Sequence, residues 1–99
     1  MVFKEIKKEL LVSNHPVIKS LYQGVGFIVL IIGFNKGMIL KEHIAHIRAK
    51  LTVLKGAVTY KEKDRTIKLQ KYDEVEIPIE VKHTAEALED SYCILIQGD

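Results

Sequence analysis

Cysteine is nearly absent from this chain, and so is any excess of charge of one sign. Cys93 is the single cysteine among 99 residues, which excludes an internal disulfide and a cysteine-rich zinc site. Lysine and arginine together number 15 and the acidic residues 13, so the formal net charge is only +2. The chain has no basic stripe interleaved with aromatics that would neutralise the phosphates of a nucleic acid. We therefore expect no nucleic-acid partner.

Long hydrophobic runs are also missing. The longest, Val25 to Phe34, is about half of what a helix needs to cross a hydrocarbon core, so we expect a buried strand and no membrane contact. The segment Met1 to Lys8 contains charged residues from Lys4 onward and lacks the hydrophobic segment and cleavage site of an export signal. This favours a cytoplasmic protein. Cys93 lies in the apolar run Tyr92 to Ile96, where a packed thiol is expected rather than a nucleophile.

The chain does contain a succession of short apolar segments separated by turn signals. Of its residues 47% are hydrophobic, enough for one compact domain over residues 1–99 and too few for two cores. The segments are rich in Val, Ile, Leu and Thr and too short for ordinary helices, which is typical of an all-β fold such as a sandwich or barrel. Candidate strands lie near residues 17–22, 26–34, 48–54, 57–61, 66–69, 74–77, 83–88 and 91–97.

Two segments carry further local signals, residues 3–11 and Lys55-Gly56. Residues 3–11 place Phe3, Ile6 and Leu10 at helical spacing, and a short helix and an edge strand are both open there. Lys55-Gly56 is predicted to form a hairpin between two antiparallel strands, with Gly56 at positive φ or in close backbone approach.

Period-two alternation indicates which side chains face inward, because successive residues of a strand point to opposite faces of the sheet. Over residues 43–53 the odd positions are the apolar ones, so His43 is predicted to point inward and His46 to face solvent, unless a bulge intervenes. Over residues 77–87 the odd positions are again apolar, and His83 falls among them.

The segment Phe27 to Ile32 is apolar on both faces. One core in so short a chain does not cover both faces of a strand, so a second chain is expected on the other side. The sequence therefore predicts a homodimer.

Two spaced motifs resemble those of the cupin superfamily, small jelly-roll barrels recognised by conserved motifs on facing strands. The first has a glycine, two histidines, a glutamate and a glycine at fixed spacing; the second has a proline and a histidine among its fixed positions. The positions in this chain that fall in those registers are Gly37, His43, Ala45, Ala49 and Gly56 for the first motif, and Pro78, His83 and Ala87 for the second. The resemblance implies an all-β, double-stranded β-helix, that is, a jelly-roll barrel.

The resemblance also implies a site. His43 and His83 match the family's metal ligands, whereas Ala45 and Ala49 stand where a histidine and a glutamate are expected. Such a site would hold a divalent transition metal weakly through two histidines, with a third ligand drawn from His46, Glu42 or Glu86 if the strand phase allows. The alternative is that His43 and His83 are hydrogen-bonded histidines in a polar pocket without metal.

Small side chains beside two inward histidines predict a ligand-binding cavity inside the barrel. Its lining would include His43, Ala45, Ala49, Tyr60 and His83, with Ala85 and Ala87 leaving further volume. The alternative is that Tyr60, Tyr92, Met38 or the long aliphatic side chains fill that volume.

Three functions remain open from the sequence. The first is a metal-dependent enzyme acting on a small organic substrate by oxygenation, isomerisation or decarboxylation, with Tyr60 or a carboxylate as acid or base. The second, which we prefer, is a metal-free module that binds a small molecule as a sensor or carrier. The third is a pure dimerisation scaffold. No catalytic residue is identified.

Overall fold

The structure is a computed structural model that describes residues 1–98, with the side chain of His43 outside the description. The described chain consists of one helix followed by nine strands. Their bounds are α1 Val2–Leu10, β1 Val17–Gly24, β2 Phe27–Phe34, β3 Ile39–Ile44, β4 Ala49–Lys55, β5 Val58–Glu62, β6 Arg65–Leu69, β7 Glu74–Ile77, β8 Lys82–Ala87 and β9 Ser91–Gly98. No helix among these elements is long and apolar enough to span a membrane.

The strands form two antiparallel sheets. The first sheet has the order β1-β2-β9-β4-β7 and the second the order β3-β8-β5-β6. Along β4, β7 and β8, buried residues alternate with more exposed ones, as strands that bury one face require. The side chains of the two sheets form one core: Ile32, Phe34, Ala45, Ala49, Leu51, Val53, Val58, Tyr60, Leu69, Val75, Ile77, Ala85, Ala87, Cys93 and Leu95. The all-β prediction is confirmed.

Cys93 lies in this core and is fully buried. Burial disfavours the thiolate and raises the pKa of Cys93 to about 12. The thiol is therefore a packing group, as its apolar neighbours in the sequence indicate.

The segment that was open between helix and strand is the helix α1. Ile6 and Leu10, four residues apart on one face, are both buried against Val17 and Ile31 on the outer side of the first sheet. The close approach depends on Gly33, because a Cβ there would collide with Ile6. The second apolar face of β2 is thus covered in part by the chain's own helix. A smaller part of that face is left for a second chain to cover.

One strand, β3, is absent from the sequence prediction. Residues 43–53 do not form a single alternating strand, because β3 lies in the second sheet and β4 in the first. The connection between them breaks the alternation: Ala45 is buried, but Ile47, expected inside, is 45% exposed. Ile79, in the turn after Pro78, is exposed for the same reason.

Gly56 lies in a turn between the sheets rather than in a hairpin. β4 pairs with β7 and β9, whereas β5 pairs with β6 and β8, so the predicted hairpin is wrong. The conformational part of the prediction is confirmed, since Gly56 has φ +88°. A Cβ at this position would collide with the backbone of Asp90 and Ser91.

Candidate functional site

Polar residues form one row across all four strands of the second sheet. His43 of β3 is paired with His83 of β8, and His83 with Glu62 of β5. Glu62 is in turn paired with Arg65 of β6. We call these four residues the polar row. Directly paired residues on adjacent antiparallel strands are the closest cross-strand neighbours in a sheet, so the sheet brings together residues that are far apart in sequence.

A bulge in β3 sets the register at the first member of the row. Leu40 pairs with Ala85 and His43 with His83, so three steps along β3 match two steps along β8. The bulge therefore precedes His43, and does not lie between His43 and His46. Where the His43 side chain points lies outside the described residues, so its predicted inward orientation stays a prediction.

His83 is buried, with 3% of its surface exposed, as the alternation predicts. Its Nδ1 lies 3.1 Å from the carbonyl oxygen of Val81. A carbonyl oxygen can only accept, so Nδ1 carries the proton in this contact. The ring also packs beside Tyr60, with ring centroids 5.8 Å apart and planes inclined by 30°.

Tyr60, Glu62 and Arg65 form a closed hydrogen-bond network next to His83. The Tyr60 hydroxyl donates to Glu62 Oε2 at 2.5 Å. Arg65 donates from Nε to Oε1 and from Nη2 to Oε2 of the same carboxylate, both at 2.8 Å. Arg65 Nη2 also donates to the carbonyl of Glu76 on β7 at 3.1 Å, which links the second sheet to the edge of the first.

This network fixes the charge states of its members. Hydrogen bonds from Arg65 hold the pKa of Glu62 below its ordinary value, with a smaller contribution from the Tyr60 hydroxyl. Burial, followed by the hydrogen bond to Glu62, raises the pKa of Tyr60 well above its ordinary value. At neutral pH the site therefore holds an ionised carboxylate and a protonated phenol.

The other candidate ligands lie at the surface. His46 is exposed, as predicted, and its Nδ1 contacts Glu80 Oε1 at 2.8 Å. Glu42 and Glu86 are exposed as well. Glu42 lines the same concavity as His83 and Glu62, whereas His46 and Glu86 do not.

The alanines expected to line a cavity lie in the core. Ala45 and Ala49 are 7% and 8% exposed and belong to the same core cluster as Tyr60, which is fully buried. Tyr60 and these alanines therefore belong to one packed cluster. Ala49 and His83 line two separate concavities. One, of about 630 Å³, includes Arg65 and Ile77, and the other, of about 400 Å³, includes Glu62 and Lys82.

Sequence reasoning missed Glu62 and Arg65. The signal was available for Glu62, which stands two residues after Tyr60 and so on the same strand face. Arg65 follows it across the two-residue turn Lys63-Asp64, which places it directly opposite Glu62.

The described residues do not fit a metal ion. No three histidine, cysteine, aspartate or glutamate side chains are gathered to hold one in the part of the chain that the structure describes, which leaves out the His43 side chain. Glu62, the carboxylate nearest in register to His83, already has both oxygens bound by Arg65. The prediction that His43 and His83 bind a metal stays a prediction.

The sequence matches no known family model and no curated protein, but solved structures share its fold. A cupin superfamily protein from Desulfitobacterium hafniense DCB-2 superposes with a TM-score of 0.80 at 17% identity, over 87% of this chain and 79% of that one. KdgF from Halomonas sp. superposes with a TM-score of 0.77 at 22% identity, over 89% and 83%. A cupin 2 conserved barrel domain protein from Leptotrichia buccalis gives 0.77 at 26% identity, over 88% of this chain and 42% of that one.

The two facing antiparallel sheets, in the strand orders given above, make the molecule a double-stranded β-helix. The chain has the cupin fold, and the resemblance read from the two motifs is confirmed at the level of the fold.

Proposed function

We propose that this cupin-fold chain binds a small organic molecule at the polar row without converting it, as a sensor or carrier. One observation carries the proposal: the acid–base groups beside His83 are engaged with one another. The Tyr60 hydroxyl donates a hydrogen bond to Glu62, and the charge of Glu62 is balanced by Arg65. A general acid or base works best with a pKa near the operating pH, and both of these pKa values are displaced away from neutrality. This favours binding over turnover.

The chemistry of His83 suggests the class of ligand. His83 donates from Nδ1 to the Val81 carbonyl and lines one concavity together with Glu62. A ligand that carries hydroxyl or amide groups complements a site that combines an imidazole with a carboxylate. Ala49 and Tyr60 are predicted from the sequence to line the cavity with His43 and His83. In this proposal they support the site by packing in the core.

The test is a panel of small hydroxylated and amide-bearing compounds, screened by thermal shift and native mass spectrometry. His43→Ala combined with His83→Ala should weaken the binding of any hit by more than about tenfold, since each truncation removes a polar contact. His46→Ala is the matched control, because that histidine is exposed and paired with Glu80. Unchanged binding by the double variant, or conversion of the bound compound, would contradict the proposal.

A metal-dependent enzyme, with His43 and His83 as ligands, is the second candidate. The hydrogen bond of His83 Nδ1 to a backbone carbonyl favours it, since metal-bound imidazoles usually make this contact through their other nitrogen. Elemental analysis of protein purified without added metal or chelator separates the two candidates. One transition metal per chain, lost in the double histidine variant, would favour the enzyme.

A further inference from the structure

Glu62 and His83 are neighbouring side chains of the kinds that bind divalent cations. They are direct cross-strand partners, so their side chains leave the sheet on the same face. Tyr60 touches both, through its hydroxyl to Glu62 and its ring to His83. With His43 paired to His83 on the other side, three neighbouring strands carry the residue types of a two-histidine, one-carboxylate site.

This carboxylate is not the one that the motif resemblance places in the barrel. The motif position is Ala49 on β4, in the first sheet, whereas Glu62 lies on β5 in the second sheet. The combination of Glu62 with the two histidines is therefore not the ligand set of the motifs.

Arg65 occupies the place that a cation would need. Its guanidinium binds both oxygens of Glu62 in the bidentate geometry that makes such pairs strong. Its hydrogen bond from Nη2 to the Glu76 carbonyl ties it to β7 as well. The Glu62 side chain is only 9% exposed, so the carboxylate needs a positive partner, and Arg65 supplies it.

We propose that Arg65 stands in for a metal ion at Glu62 and keeps divalent cations out of the polar row. Arg65 is then the specificity-determining residue of the site, and Glu62 is a metal ligand that Arg65 masks. The inference rests on the site proposed above but not on the identity of its organic ligand.

The test is Arg65→Met, which keeps the length of the side chain and removes its charge. Calorimetric titration with Ni²⁺ at neutral pH should show one ion bound per chain, at least about tenfold tighter than in the unsubstituted protein. Glu62→Gln added to Arg65→Met should return the affinity to its original value, because an amide is a poor replacement for a carboxylate ligand. Lys63→Met is the matched control: it removes a cation next to Glu62 in the chain but outside its hydrogen-bond network, and should change nothing.

Two results would overturn the inference: an Arg65→Met protein that binds Ni²⁺ no better, or a gain in affinity that survives Glu62→Gln. Thermal melts verify that each variant is folded. If Arg65→Met does not fold, Arg65→Lys carries the test, since a lysine cannot bind both carboxylate oxygens as a fork and should give an intermediate gain. Failure to find an organic ligand would leave this titration unaffected, so the two proposals fail separately.

Discussion

At the scale of single residues, Tyr60 organises the candidate site. A fully buried tyrosine needs a hydrogen-bond partner for its hydroxyl, and here the partner is the charged Glu62. A bond to a charged acceptor is stronger than a neutral one, so Tyr60 fixes the position of the carboxylate. The same ring packs against His83. Tyr60 therefore sets the distance between the two polar groups that a ligand would meet.

The ion pair of Glu62 and Arg65 should make stability depend on pH in the acid range. Arg65 lowers the pKa of Glu62 from its ordinary value of 4.5, so the stabilisation is fully present above that pH and is lost as the pH falls through the lower, folded value. Urea unfolding at a series of pH values should show a steeper loss for the unsubstituted protein than for Glu62→Gln. Glu86→Gln is the control, because Glu86 is an exposed carboxylate on the neighbouring strand β8. Its loss of stability with falling pH should match that of the unsubstituted protein. Equal slopes for Glu62→Gln and the unsubstituted protein would contradict the prediction.

At the scale of elements, the turn between β4 and β5 joins the two sheets at a crowded point. The Ser91 hydroxyl accepts from the Ala57 amide at 3.1 Å and donates to the Glu89 carbonyl at 2.7 Å. β9 is thereby tied to the residue after Gly56. The turn has no room for a side chain, in addition to needing a positive φ.

Gly56→Ala should destabilise the protein by more than about 1 kcal/mol relative to Gly37→Ala, because an added Cβ overpacks the first site only. The pair is well matched: φ is +88° at Gly56 and +87° at Gly37, and a Cβ at Gly37 meets nothing within 4 Å. Chemical denaturation of both variants measures the difference. Equal free energies of unfolding would show that the backbone conformation, not the contact with Ser91, decides the cost.

At the scale of the whole molecule, the outer face of the first sheet is only partly covered. Helix α1 packs over Ile31. Val29 lies two residues before it on β2, between Tyr22 and Ile96 on the neighbouring strands, which are 64% and 44% exposed. Phe27, in ring contact with Tyr22, is 40% exposed. Contiguous exposed apolar surface of this kind marks protein–protein contact sites.

We expect a homodimer with a twofold contact through this face, since a self-complementary patch is the commonest way to cover it. Sedimentation equilibrium at micromolar concentration should give the mass of two chains. Ile96→Lys should shift the equilibrium toward one chain by placing a charge in the contact, whereas Ile39→Lys, at an exposed apolar position of the other sheet, should not. A monomer mass for the unsubstituted protein would exclude the dimer.

The sequence by itself determined the features that depend on near neighbours in the chain. Alternation along β8 placed His83 inside, because side chains alternate locally whatever the sheet does. The need of Gly56 for positive φ was likewise local. The spacing of the two motifs was enough to predict the cupin fold.

Only the tertiary structure decided the features that depend on which strands become neighbours. The assignment of β4 and β5 to different sheets turned a predicted hairpin into a connection between sheets. Residues 2–10 became a helix because the first sheet offered an apolar face and Gly33 allowed the approach. Glu62 joined His83 through the pairing of β5 with β8, and that pairing is a long-range choice that no local pattern in the chain records.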